Sequence, residues 1–414
     1  MLIPGWFAAA FGLSLSFRGG GPLAQRSDVL LLLLAVALLA DSLVRDVIRR
    51  DLRKFARIAL LCAGIVAVIF LADILNFAPW SLRGSDATWN YVRLTMGCSS
   101  LIVCSVLAVR GRGAFYAFTA GVAVAPLATL PVFVNLDEGV FIHGGRLAGY
   151  LQTPIIFGAW TLVAFVLAFG IFLFIRRAWR RAVLFVWLAI LANFLLWSAS
   201  RASWIGAALA ILAFVASELG CRRLRRAFFV TASAAAVFAL GYYFLPNALG
   251  MQRFVSLRAA NLAESIATLE PQHIAAQQHS VTMARAGEFI FHHRHGIGFS
   301  GMVAEVKGSS PERAPATNNL FLEVGIYGGV PAILLFTALI GMACSGAWRF
   351  VRSLHDPMRF DTALRFVWLV AGAAFFVDIF FTQAFLWRHT WVVLGVLLGV
   401  AYLEPRGHEP PVAG

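Results

Sequence analysis

Charge is scarce in this chain. Acidic and basic side chains together make up 13% of its 414 residues, against 60% hydrophobic residues, whereas an ordinary soluble domain is about one quarter charged. A water-soluble globular core of this length is therefore excluded. Acidic groups are the scarcest, with 20 Asp and Glu against 34 Lys and Arg and a net charge of +14. Cysteine is also thin. Its five residues, Cys62, Cys98, Cys104, Cys221 and Cys344, fall in apolar runs or at their basic ends, so neither a disulfide framework nor a zinc knuckle is implied. The chain has no repeat of 20–50 residues and no inverted symmetry between its halves. No basic segment precedes the first apolar run, so 2–17 reads as a retained helix rather than a cleaved signal peptide.

What the chain has in abundance is apolar runs of the length that crosses ~30 Å of hydrocarbon as a helix. They fall near 2–17, 29–44, 58–78, 94–109, 114–134, 154–175, 182–199, 202–219, 227–245, 320–345, 363–384 and 390–403. The fold class expected is all-α and integral to the membrane, one polytopic domain over 1–414 with about twelve transmembrane helices. The positive charge has a simple placement. RDVIRRDLRKFAR (45–57), RGRG (110–113), RRAWRR (176–181), CRRLRR (221–226) and RFVRSLHDPMR (349–359) occupy alternate loops, which the positive-inside rule makes cytoplasmic. Charge of this distribution calls for no nucleic acid. With both termini inside, the loop around 135–153 and the long 246–319 loop, between the ninth and tenth spans, fall outside.

The 246–319 interval is the one long polar stretch. Met251, Phe254, Val255, Leu262, Ile266 and Leu269 recur in it at helical spacing, which predicts an amphipathic helix lying on the membrane or on the bundle. Pro126 and Pro131 are expected to sit within the fifth span as ordinary packing or as a kink. The EPRGHEPPVAG tail is expected to be disordered. Ionisable residues near span ends are the functional candidates, because charge in hydrocarbon is costly. By the ~1.5 Å rise per helical residue, Asp73, Arg201, Glu323 and Asp378 all lie within ~10 Å of the outer interface. That depth suits an enzyme handling a charged lipid-attached substrate better than a transporter, which places such groups near the midplane. Asp73 and Asp378 read equally as ion-pair partners. Arg201, in WSASRASWIG, reads equally as a forked phosphate ligand or as an interface anchor.

Two motifs are set aside. GIGFSG (296–301) matches the dinucleotide pattern Gly-x-Gly-x-x-Gly but follows no strand and opens no βαβ unit. HHRH (292–295) with Glu288 lacks any zinc spacing, so no metal is expected. His143, beside Arg146, reads as a loop residue.

Four segments together resemble the O-antigen ligase and polymerase superfamily. GRLAGYLQTPIIFG (145–158) is similar to its Arg-x-x-Gly then Pro-Asn signature, and SRASWIGAALA (200–210) to its Ser-Arg-Gly/Ala motif at a span start. HHRHGIGFSG (292–301) resembles its Pro-x-x-Gly-x-Gly segment, and NNLFLEVGIYGGVPA (318–332) its His-Asn-x-x-Leu, Gly-x-x-Gly motif. Order, spacing and the long outer loop agree over about the central half of the chain.

The resemblance implies a helical membrane glycosyltransferase of the bacterial inner membrane. Its donor would be an undecaprenyl-pyrophosphate-linked glycan, and its acceptor lipid A-core for a ligase or another lipid-linked repeat for a polymerase. No cofactor is implied. Arg146, Arg201, Arg258 and Arg285 would hold the pyrophosphate, and Arg201, Asn318, Glu323 and His295 would be catalytic. Asn319, Gly296, Gly298, Asp73 and Asp378 would support them. The sequence departs from the family at three places. Asn318 stands where the family has its loop His, Ile155 replaces the Asn of Pro-Asn, and His295 replaces the Pro before Gly-x-Gly. An amide is no general base near neutral pH. Base catalysis therefore moves to His295, Glu323 or Glu288, or the site works by stabilising the departing pyrophosphate, or the chain is an inactive member. Outside this class, a polysaccharide or lipid transporter is the competing expectation.

Overall fold

The structure is a computed structural model that describes residues 2–15, 22–76, 85–110, 113–129, 142–143, 146–148, 151, 153–244, 251–268, 274–301, 319–354, 360–380, 382 and 384–403. Asn318, Pro131 and the tail 404–414 lie outside the described residues.

The chain is built from helices. In order they are α1 (Leu2–Ser14), α2 (Pro22–Ala40), α3 (Ser42–Arg50), α4 (Leu52–Asn76), α5 (Ser85–Arg110), α6 (Gly113–Val124), α7 (Pro154–Phe174), α8 (Ala178–Ser198), α9 (Arg201–Gly220), α10 (Leu224–Tyr243), α11 (Met251–Thr268), α12 (Ile274–His292), α13 (Leu320–Arg352), α14 (Phe360–Phe380) and α15 (Arg388–Leu397). Two short strands, β1 (Ile142–His143) and β2 (Arg146–Leu147), pair antiparallel with Ile142 opposite Leu147. Among the described residues, α4, α5, α7, α8, α9, α10, α13 and α14 are the eight helices long and apolar enough to cross a membrane. Helices are what such apolar runs must form, since hydrocarbon offers no partner for an unpaired backbone N–H or C=O. This is an all-α, multi-pass membrane architecture. Three shorter apolar stretches, 28–40, 113–129 and 388–402, and the 13-residue α1, fall where the sequence places further spans.

Helix α7 is the hub. Its apolar window is 89% buried, against 28% for α9 and α13 and 33% for α4 and α10. A helix apolar on every face and enclosed by protein is a core element, whereas the others present one side to lipid. Helices α8, α9 and α14 pack around α7, and the fully buried rings include Trp160, Trp197, Trp368 and Trp391. Absent side chains allow the closest crossings. A Cβ on Gly206 of α9 would come within 2.9 Å of the Ala374 carbonyl on α14, the small-residue contact typical of membrane bundles.

Three features differ from expectation. Helix α6 ends at Val124 and Pro126 lies in a 3-10 turn, Ala125–Thr129, because proline cannot continue the ladder. The long polar interval holds the predicted amphipathic helix, α11, but also a second helix, α12. The apolar run at 320–345 is not one continuous helix. The 33-residue α13 is broken at Gly329, whose φ of 65° is left-handed. Unbroken, 33 residues would span about 50 Å at ~1.5 Å each, well beyond the ~30 Å hydrocarbon core.

Candidate functional site

The turn between α8 and α9 organises the site. Helix α8 stops because Ala199 takes the left-handed conformation, φ 48° and ψ 33°, a cost of roughly 1–2 kcal/mol for a residue with a Cβ. Hydrogen bonds of the serines around it hold it there. Ser198 Oγ donates to the Leu195 carbonyl at 2.7 Å and accepts the Ser200 N–H at 3.3 Å. Ser200 is the N-cap of α9, accepting the Ser203 N–H at 3.4 Å.

Two peptide carbonyls leave this turn, and each accepts from an arginine. Arg146 Nε donates to the Ser198 carbonyl at 2.8 Å, and an Arg258 terminal nitrogen donates to the Ala199 carbonyl at 3.2 Å. The first arrives on β2, which lies against α7 and α8, and the second on α11, which touches both α8 and α9. Arg201 is the first residue of α9, so its guanidinium stands beside a helix N-terminus that already carries positive partial charge.

These cations feel one another. Burial first, then the charges of Arg258 and Arg201, pushes the Arg146 guanidinium from its ordinary 12.5 down to about 10. Burial and the Arg201 charge likewise push Arg258 down. Among the described residues no carboxylate lies within ion-pair distance of Arg146 or Arg201. Guanidinium groups gathered in this way have the chemistry to take an anion, since an anion relieves the repulsion and accepts forked donors.

Below the turn lies a polar floor. Ser203 Oγ donates to Asp378 Oδ2 at 2.6 Å, joining α9 to α14. Asp378 is fully buried, and its Oδ1 has no hydrogen-bond partner among the described residues. Gly158 of α7 makes room for this layer, since a Cβ there would meet Ser203 Oγ at 2.7 Å and Ser198 Oγ at 2.9 Å.

The remaining candidates occupy two neighbouring assemblies. Asp73, near the end of α4, accepts the Ser300 N–H at 2.8 Å, the Phe299 N–H at 3.3 Å and the Tyr91 hydroxyl. It thus caps the helical turn at 298–301. Asn76 donates to the Gly296 carbonyl at 2.9 Å. The Gly296–Gly298 segment threads the break in α13, with Ile297 N–H on the Ile326 carbonyl and Val330 N–H on the Arg294 carbonyl, both at 2.9 Å. Both glycines have positive φ, 77° and 69°. Glu323 is buried and accepts the Phe385 N–H at 2.9 Å, with the Tyr327 hydroxyl and Ala384 N–H beside it. Asn319 is the N-cap of α13, its side-chain oxygen accepting from Phe321 N–H at 2.9 Å and Leu322 N–H at 3.1 Å.

Of the four arginines expected to hold phosphate, Arg146, Arg201 and Arg258 come together at one turn. Arg285 lies exposed on α12, and no described contact ties it to them. His295 is exposed in the turn after α12. The carboxylates of Asp73, Glu323 and Asp378 each take part in hydrogen bonds between elements, so their sites are structural joints as well as polar spots. Sequence reading passed over Ser198, Ser200 and Ser203, although serines at that spacing flanking Arg201 carry the N-cap signal. It also passed over Tyr91, which lies in the polar first turns of α5, SDATWNYVR, where a tyrosine does not stand out. Among the described residues no group of three His, Cys, Asp or Glu is placed to hold a metal. No protein-family model matches the chain, and comparison with curated proteins finds no match.

Proposed function

We propose that the chain is an O-antigen ligase-like glycosyltransferase, moving a glycan from an undecaprenyl-pyrophosphate carrier to a lipid A-core or polysaccharide acceptor. The setting proposed is the outer face of the bacterial inner membrane, with about twelve spans, both termini cytoplasmic and the 246–319 interval outside. The observation that carries this reading is the convergence of Arg146, Arg201 and Arg258 on the Ser198–Arg201 turn. In transfer, the bond between the anomeric carbon and the pyrophosphate oxygen breaks as an acceptor hydroxyl attacks that carbon. Negative charge grows on the leaving pyrophosphate, and fixed guanidinium groups stabilise it most where it grows most. The acceptor proton goes to a base, for which exposed His295 is assigned ahead of Glu323, whose carboxylate is buried against the Phe385 amide.

The test uses purified protein in lipid nanodiscs, a labelled lipid-pyrophosphate-linked glycan and an acceptor. Label on lipid A-core identifies a ligase, and laddering on lipid pyrophosphate identifies a polymerase of the same class. Movement of label across a bilayer without a new glycosidic bond overturns the proposal in favour of a transporter. So does wild-type transfer by a folded Arg201→Ala variant.

A further inference from the structure

We propose that the opposite end of the bundle binds an anionic phospholipid, and that its occupant is a lipid with two phosphodiester groups in one headgroup. The α7–α8 and α9–α10 connections lie one helix length from the Ser198–Arg201 turn, because both α8 and α9 run between the two ends. They carry Arg176, Arg177, Arg180, Arg181, Arg222, Arg223, Arg225 and Arg226, and Asp and Glu are absent from 175–226 apart from Glu218.

The geometry separates these cations by task. Arg181 turns inward. Its guanidinium lies 5.7 Å from the Phe172 ring centre on α7 and 5.4 Å from that of Phe229 on α10, and its Nε donates to the Ile175 carbonyl at 3.1 Å. It therefore sets the two connections side by side. Arg223 and Arg226 reach Glu218 at 3.8 and 3.7 Å. Arg176, Arg177 and Arg180 on one connection, and Arg222 and Arg225 on the other, are exposed and make no ion pair among the described residues. Arg222 is exposed and has a left-handed backbone, φ 56°.

Exposed apolar side chains adjoin the cations. Trp179, Val183, Leu224 and Phe228 are 61–75% exposed, and the Arg180 guanidinium lies 5.3 Å from the Trp179 ring centre. Cations over aromatic rings next to lipid-facing aliphatic groups mark the headgroup level of a bilayer. A soluble acidic protein would leave that apolar skirt uncovered, whereas acyl chains cover it. Basic pockets between transmembrane helices suit lipid phosphates. Two arginine groups without ion pairs among the described residues, one on each of the connections that Arg181 links, match two phosphates on one headgroup better than one phosphate.

Native mass spectrometry and thermal unfolding of the detergent-purified chain test this, with diphosphatidylglycerol, phosphatidylglycerol and phosphatidylethanolamine of matched acyl chains. The expected result is one retained diphosphatidylglycerol and a larger rise in Tm with it than with either other lipid. Arg177→Gln/Arg180→Gln and Arg222→Gln/Arg225→Gln, read separately in case the fourfold variant does not fold, should each weaken retention by roughly tenfold. Equal retention of phosphatidylethanolamine, a preference for phosphatidylglycerol, or retention unchanged in both variants overturns the proposal. The wild-type lipid ranking decides the matter even if neither variant folds.

Discussion

Replacing Arg201 by glutamine should make the free protein more stable while disabling its anion site. Arg146 is pushed from 12.5 to about 10, with burial the largest cause and the Arg258 and Arg201 charges following. One pKa unit corresponds to about 1.4 kcal/mol between protonation states. Arg146 is only partly buried, so solvent screening leaves the Arg201 share at ~0.5 kcal/mol. Arg258, which the Arg201 charge also pushes down, adds in the same direction. Removing a cation from the first turn of α9 adds a few tenths more, roughly 0.3 kcal/mol at least. Because both guanidinium groups have folded values below their unfolded ones, this penalty is fully present at neutral pH. It is relieved as pH rises through about 10. The variant should therefore gain ~1 kcal/mol, or about 2 °C in Tm. Thermal unfolding in nanodiscs with and without inorganic pyrophosphate reads both halves of the claim. Pyrophosphate at ~100 times Kd should stabilise the wild type by about 2.7 kcal/mol and the variant far less, with glycan transfer reduced by roughly 10²-fold. A variant less stable than the wild type, or one stabilised equally by pyrophosphate, would refute the repulsive three-arginine site.

Two further outcomes follow from the same geometry. Pyrophosphate affinity should fall as pH rises through about 10, where Arg146 loses its proton. In Arg201→Gln that limb should move upward, which titrations across the alkaline range would reveal. Gly329→Ala should destabilise the chain by ~2–4 kcal/mol, combining a left-handed alanine with overpacking. Its Cβ would lie against the Arg294 carbonyl and 2.6 Å from the Gly296 nitrogen. Gly341→Ala, on the same helix with nothing within 4 Å of its Cβ, should be neutral or slightly stabilising. Equal Tm values for the two variants would show that the break in α13 carries no strain.

Much of the architecture is legible in the chain because hydrocarbon allows few solutions. An apolar run of spanning length must be a helix, so the spans that become α7, α8, α9 and α14 could be placed within a few residues. Arg201 was legible too, since a guanidinium at a tight tip between two apolar runs stands out. The break in α13 was not. Gly328 and Gly329 lie in a run whose hydropathy reads as continuous, and the conformation of Gly329 depends on a segment some thirty positions earlier that supplies the Arg294 carbonyl.

By itself the sequence determined that this protein is a multi-span helical bundle, because its scarcity of charge leaves water no core to enclose. It also determined which ionisable residues stand near span ends, because helical rise converts position into depth. Tertiary structure alone decided which of them meet. Arg146 and Arg258 reach the Ser198–Arg201 turn from β2 and α11, while Arg285 on α12 does not. Depth along one helix says nothing of direction around it, and the docking of neighbouring helices fixes that direction.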